Sequence, residues 1–281
     1  DNLNARFDRT NFSSQNTFKP LRGLELTAGF NFSQTGSTSG RPAYGSITGN
    51  GYGSVPVYTR LADDHGNAIP VYLLRKPFID TLGGGKLLNW TYNPLDDYNH
   101  SYSKVGQLDF LVNTSAAYRI ADFLRVRVDY QYEKQTGTNT SYNDVQSYYT
   151  RNLINSATQI PQDGSPLVYP VPLGDIQSQI MPSSTVHQVR TQINFDKSWG
   201  KNQLVALLGG EIRSVASEQR QSIFYGFDPR TSVSTPVDYV DFFPNIIGGA
   251  GISIPSNEGR YTALNRFVSA FANAAYTYDG K

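Results

Sequence analysis

Two-residue alternation, sustained over stretches longer than most globular strands, constrains this chain more than any other feature. From Leu124 one face reads Leu124, Val126, Val128, Tyr130 and Tyr132, and the other reads Arg125, Arg127, Asp129, Gln131 and Glu133. A helix turns by about 100° per residue and would mix these sets, whereas a strand keeps them apart. Leu108, Phe110, Val112, Ala116, Tyr118 and Ile120 likewise stand opposite Gln107, Asp109, Asn113, Ser115 and Arg119. Val189, Thr191, Ile193 and Phe195 stand opposite Gln188, Arg190, Gln192, Asn194 and Asp196. Leu204, Ala206, Leu208, Gly210 and Ile212 alternate with a mixed face ending in Glu211 and Arg213. Leu24, Leu26, Ala28, Phe30 and Phe32 alternate with Glu25, Thr27, Asn31 and Ser33. The last segment, Val268 to Tyr278, is less regular, because Phe267 and Phe271 fall opposite Val268, Ala270 and Ala272. With Asn2–Phe18 these segments predict about seven strands. Gln107–Ile120 is about twice the usual ~5–6 residues of a globular strand and exceeds the ~9–11 of a tilted membrane-spanning one.

The connections alternate between very short and very long. Pro20-Leu21-Arg22-Gly23 is a tight turn, with Pro setting φ and Gly free to take positive φ. Ala121-Asp122 and Gly200-Lys201-Asn202 join the next two pairs. Between the hairpins lie long loops at about 36–102, 137–186 and 218–259, well beyond the ~12–15 residues usual for an unstructured connection. Asn143 to Ala157 holds neither Gly nor Pro and suits a short helix. Short turns at one end and long loops at the other are the pattern of an outer-membrane barrel. A secreted carbohydrate-binding β-sandwich also alternates, but its strands are shorter and its loops do not sort by length.

No apolar run approaches the ~18 residues of a spanning helix, which excludes a helical membrane protein and leaves a β-barrel open. The N-terminus shows no leader pattern. A net charge of +1, from 24 basic and 23 acidic residues, argues against nucleic acid as a partner. With no Cys in 281 residues, disulfide scaffolds and thiolate sites are excluded. The apolar faces of 108–120, 124–132, 189–195 and 204–216 carry no charge, as a lipid-facing wall requires, since a charge at mid-bilayer there costs ~2–4 kcal/mol. Tyr118, Trp199, Tyr276 and Tyr278 lie near short turns, and Phe30, Phe32, Tyr130 and Tyr132 near the opposite strand ends. Two aromatic girdles are expected from this sorting. The opposite faces, dense in both signs of charge, suit a water-filled lumen. Bacterial single-chain barrels use an even strand number, and Asp279-Gly280 is itself a turn signal. The expected fold is therefore all-β: residues 1–281 form an antiparallel section of a larger transmembrane β-barrel, with the long loops outside the cell.

No catalytic constellation is present, and the chain is not expected to be an enzyme. His65, His100 and His187 are scattered, so no transition-metal site and no cofactor is expected. Asp63-Asp64 and Asp96-Asp97 have oxygens that suit Ca²⁺, but such Asp/Asn clusters more often form turns. The Gly-rich stretches at 49–53 and 83–85 do not join a strand to a helix and are not phosphate cradles. Loop aromatics offer ring faces to sugar rings or peptide side chains, and Tyr52, Tyr58, Trp90, Tyr92 and Tyr98 are the candidate substrate-binding residues.

Several stretches carry a family resemblance. Pro20-Leu21-Arg22-Gly23-Leu24-Glu25-Leu26-Thr27-Ala28-Gly29 resembles a hairpin of SusC/RagA-type TonB-linked outer-membrane proteins. Asn93-Pro94-Leu95, Ser147-Tyr148-Tyr149-Thr150-Arg151-Asn152-Leu153-Ile154-Asn155, and Gly259-Arg260-Tyr261 with Phe267 to Tyr278 resemble the same family, in the same order. The resemblance implies a barrel of about 22 strands with an internal plug, set in the lipid of the bacterial outer membrane. It also implies energy from TonB through an N-terminal part not present here, a SusD-like surface lipoprotein as lid, and import of oligosaccharides or peptides. A passive porin or adhesin barrel is the alternative within the membrane.

Overall fold

The structure is a computed structural model, and it describes residues 5–40, 47 and 58–280. Seven long strands form one antiparallel meander: β1 (Arg6–Leu21), β2 (Leu24–Thr38), β3 (Ser101–Ala121), β4 (Leu124–Asn143), β5 (Asp175–Trp199), β6 (Asn202–Asp228) and β8 (Gly259–Tyr278). The three-residue β7 (Val233–Thr235) pairs with the outer end of β6, on the edge that β8 occupies lower down. Every long strand pairs with its sequence neighbour, and the sheet curls into a partial β-barrel. β1–β2, β3–β4 and β5–β6 are joined at one end by two-residue turns. Gly23 and Gly200 supply the positive φ that these turns demand, at 91° and 57°.

The strands run further than the alternation predicted. β5 has 25 residues and β6 has 27, so the loops that the sequence opened at 137 and 218 begin only at 144 and 229. The reason lies in the composition of the outer halves. There both faces are polar, as in Thr136, Thr138 and Thr140 against Gln135, Asn139 and Ser141, so pairing continues after the apolar signal has ended. Pro182 sits inside β5, where it removes one ladder donor; Gly137 opposite leaves room for its ring.

Register assigns the faces without ambiguity. Leu26, Ala116, Val128, Thr191, Gly210 and Ala270 lie in one row on the outward face, and Thr27, Ser115, Asp129, Arg190, Glu211 and Ser269 in a row on the inward face. The outward apolar stretch of β4 runs from Leu124 to Tyr132, about nine residues, close to the ~9–11 of a tilted spanning strand. Above it the expected outer girdle is a chain of rings crossing five strands. Phe12 and Phe30 lie 5.8 Å apart, Phe30 and Phe110 5.0 Å, Phe110 and Tyr132 6.3 Å, and Tyr132 and His187 5.2 Å. Tyr118, Trp199, Tyr276 and Tyr278 are exposed on the outward face at the turn end.

The wall has no core of its own. Ile212, Leu208 and Val268 on the outward face are 59%, 57% and 72% exposed. The chain exposes 18000 Å², against roughly 12,000 Å² for a compact monomer of this mass. A sandwich would bury one face of its sheet against another, so that alternative is excluded. The buried apolar cluster among the described residues lies at the outer end, where Ile154, Ala157, Val171 and Ile254 of the loops pack on Ile176 of β5 and on Ile223 and Tyr225 of β6. Ile176 and Ile223 share the inward face. The loops therefore fold over the inner side of the wall and roof it.

Candidate functional site

The inner wall and its roof form one continuous polar surface. On the wall, a hollow of about 530 Å³ is lined by residues that include Ser13, Asn31, Arg127, Asp129, Gln188 and Arg190. Arg127 pairs with Asp129 at 2.7 Å on the same strand. Arg190 is registered between Asp129 and Glu211 yet lies over the ring of Phe271 at 4.7 Å. That ring occupies space that any side chain at Gly209 would take. The irregular phase of the last strand thus has a local cause: Phe271 turns inward because a glycine opposite it makes a place and an arginine covers it. Higher on the same face, Oδ1 of Asp109 is buried and has no hydrogen-bond partner among the described residues.

The roof is organised by α3 (Tyr148–Ala157). Ser147 caps it, accepting from the backbone N–H of Thr150 at 3.2 Å. Asp144 braces the entry by accepting from the backbone N–H groups of Gln146 and Ser147 at 2.7 and 2.9 Å. From the face of α3 three side chains tie in the β2–β3 loop. The Asn155 amide accepts from the backbone N–H of Leu88 and donates to its carbonyl, both at 2.9 Å. Asn152 accepts the indole N–H of Trp90 at 2.9 Å. Arg151 donates to the carbonyls of Asn89 and Thr91. The β6–β8 loop is tied from the other end, where the N–H of Ile246 reaches Ser156 O at 3.1 Å and Gln159 donates to Pro244 O at 2.9 Å.

A polar pocket of about 450 Å³ opens beside these ties, between α3 and α2 (Pro94–Asp97). Asp97 and His100 line it with Asn93 and Arg151. Burial raises Asp97 above the ordinary carboxylate range, against the lowering effect of the Tyr148 N–H and of Arg151 and His100. Burial also lowers Arg151 and raises Tyr92 and Tyr148. His100 meets Asp144 at 2.8 Å. Of the carboxylates weighed as calcium ligands, Asp63 forms a turn and Asp64 and Asp97 are engaged by other partners. Asp63 accepts from the N–H groups of His65 and Asn67 at 2.8 Å each, Asp64 pairs with Arg60, and Asp97 accepts from Tyr148. Among the described residues no group of three or more His, Asp or Glu is placed to hold a metal ion.

The five loop aromatics expected to meet a solute fall in different places. Trp90 is 8% exposed and is held by Asn152. Tyr92 packs on Tyr148 with ring centroids 4.9 Å apart. Tyr98 is half-buried at the end of α2, and Tyr58 is 95% exposed. Tyr52 lies outside the described residues. Asn152, Asn155 and Arg151 were missed by sequence reasoning. Their only signal is that two asparagines three positions apart share a face of a short helix.

No protein-family profile matches this chain, and no curated protein does. Solved structures do match its fold. A chain of the RagAB peptide importer in the closed-closed state aligns over 98% of this chain and 26% of its own length, at TM-score 0.64 and 13% identity. A chain of the RagAB peptide transporter aligns at TM-score 0.62 and 16% identity, and one of the open-open state at 0.61 and 14%. At these identities the likeness concerns the fold, and this chain spans about a quarter of each matched chain.

Proposed function

We propose that this chain forms part of the wall and the outer loops of an outer-membrane nutrient importer. In this reading the uncharged outward band faces lipid. The polar inner wall faces water and a plug supplied by the portion of such a protein that this chain does not span. The roof helps to capture the solute. The observation that carries the reading is the single-layered sheet, apolar over a spanning height on one face and polar on the other, whose one apolar core lies in loops folded over its inner side. The fold likeness to RagAB supports it, and the sequence resemblance to SusC/RagA-type proteins points the same way.

The solute is proposed to be a peptide or an oligosaccharide, and the finer assignments follow the resemblance. TonB would energise uptake through the portion not spanned here, and a SusD-like surface lipoprotein would close over the loops. Tyr58 and Tyr98 are the proposed ring contacts to solute, joined on sequence grounds by Tyr52. Trp90 and Tyr92 act through the packing of the roof. No step needs a catalytic group.

The test uses the intact source protein, extracted from membranes with mild detergent and identified by mass spectrometry with whatever co-purifies. A chain several times longer, bound to a surface lipoprotein and retaining a peptide or glycan, is the expected result. Recovery of a plug-free chain with open conductance in planar bilayers would replace the importer by a passive porin. Recovery from the aqueous fraction, free of lipid and partner, would remove the membrane reading altogether.

A further inference from the structure

Cations outnumber acids on the outward face in the outer halves of β3–β8. From the row of Lys134 upward, the outward face of β3–β8 carries Lys104, Lys134, Arg220 and Arg260 against two acids, Glu218 and Asp175, the second buried against the hydroxyl of Tyr142; Arg266 stands one row lower, level with Tyr132 and His187. At that height the inward face of β3–β8 carries Asp109 and Glu133, while inward cations stand at Arg9 on β1 and at Arg213, one step below the row of Arg266. Glu218 is shared by Arg220 and Arg260, at 2.6 and 3.0 Å. On β1, Arg6 and Asp8 offset one another at 3.5 Å. Lys104, Lys134 and Arg266 make no ion pair among the described residues, and Lys104 lies over the ring of Tyr102 at 4.5 Å.

The geometry around Lys134 is that of an anion seat. Its ammonium donates to Ser183 Oγ and Thr185 Oγ1, both at 2.9 Å. An ammonium has three donors and no acceptor, so one N–H is left over. The two hydroxyls accept from the lysine and therefore turn their own protons elsewhere. The leftover N–H and the two hydroxyl protons are thus available as donors on the outward face one row beyond the ring of Tyr132. Arg266 stands three strand spacings away and one row lower, level with Tyr132, roughly 16 Å off, and is exposed.

We propose that this outward belt binds the phosphates of membrane-lipid headgroups, with Lys134, Ser183 and Thr185 as the principal seat and Arg266 as a second point of attachment. The inference rests on the membrane-wall reading above. It adds that the wall selects anionic lipid just beyond its outer aromatic girdle. Height decides the occupant. The seat lies directly beyond an apolar band of spanning length and on the same face, where the headgroups of lipids covering that band must come. Attraction of this kind weakens about fivefold for each cation removed.

The test uses the full-length detergent-solubilised protein, titrated with phosphatidylglycerol or phosphatidylcholine and read by native mass spectrometry as the number of lipids retained. Preference for phosphatidylglycerol is expected. Lys134→Gln and Arg266→Gln should each weaken it about fivefold and together roughly twenty- to thirtyfold. Ser183→Ala with Thr185→Val, which leaves every charge in place, should weaken it to a smaller degree. Arg213→Gln, the same charge change on the inward face, should leave it unaltered. Equal retention of the two lipids, or an equal effect from Arg213→Gln, would overturn the proposal while leaving the barrel intact. Displacement of phosphatidylglycerol by inorganic phosphate at matched concentration would overturn it in favour of a free-anion site. A wild-type protein that stays monodisperse without detergent and retains no lipid would instead refute the membrane reading on which the inference rests.

Discussion

At the scale of single residues, the roof depends on a few polar side chains that replace backbone pairing. Asn155 is fully buried, and its amide serves as the β-partner of Leu88. Asn155→Ala should leave a buried N–H and carbonyl unpaired, at a cost of about 2–3 kcal/mol to the closed roof. Amide hydrogen exchange across 88–92 and 148–158 should speed up by at least tenfold, with the wall unaffected. Asp97 gives a pH signature. Burial holds its folded-state pKa above the unfolded value, so its contribution to closure is fully present below the unfolded pKa and is lost as pH rises through the folded one. Exchange in the roof, taken relative to the intrinsic rate at each pH, should therefore slow as the pH falls through the folded pKa. Asp97→Asn should slow it at neutral pH and flatten the profile, while unchanged profiles in wild type and variant would count against the assignment. Little of this was legible in the sequence. The helix over 148–157 was, because the stretch lacks Gly and Pro. The partners of Asn152 and Asn155 were not, because they lie more than sixty positions away and a tie of that length has no local pattern.

At the scale of elements, alternation does most of the work, and it fails where its physical basis fails. β4 was legible because one face must be apolar and the other wet. The outer half of β5 was not, because Gln177, Gln179 and Ser183 are as polar as Ser178 and Ser184, and a strand polar on both faces has no two-residue signal. The last strand was blurred by Phe267 and Phe271, and the pairing of Phe271 with Gly209 and Arg190 shows why. Face assignment predicts a strong asymmetry between neighbouring substitutions. Val128→Arg, at mid-band on the outward face, should cost ~2–4 kcal/mol in folding into lipid bilayers, whereas Gln131→Arg on the inward face should change stability by less than ~1 kcal/mol. Equilibrium unfolding of the full-length protein in lipid vesicles measures both. Gly209→Val should also be costly, by about 1–3 kcal/mol, because the new side chain meets the Phe271 ring. Phe271→Ala in the same chain should relieve only part of the clash, because the backbone oxygen of Thr191 also stands 2.8 Å from where the new Cβ would lie.

At the scale of the whole molecule, one sheet separates three environments: an apolar exterior, a wet interior and a roofed outer mouth. The long strands reach past any bilayer. At ~3.3 Å per residue a 25-residue strand extends about 80 Å, and the apolar band uses less than half of it. The remainder lifts the roof clear of the girdle, and in the proposed reading it carries the Lys134 seat at headgroup height. Two long strands, β1 and β8, have no neighbour on their outer edges among the described residues, in keeping with a span of about a quarter of the matched importer chains.

The central claim is that the alternating faces look onto lipid on one side and water on the other. The chain has no native Cys, so single thiols can be introduced at Val128, Leu208, Gln131 and Gln192 and labelled with a fluorophore in the full-length protein, any other thiol replaced, in lipid vesicles. The account predicts that labels at Val128→Cys and Leu208→Cys are quenched by a lipid-dissolved spin probe and shielded from iodide. Those at Gln131→Cys and Gln192→Cys should behave in the opposite way. Quenching by iodide at all four positions, or shielding from both quenchers at Val128 and Leu208, would contradict it, because either result means that the apolar face does not meet a membrane.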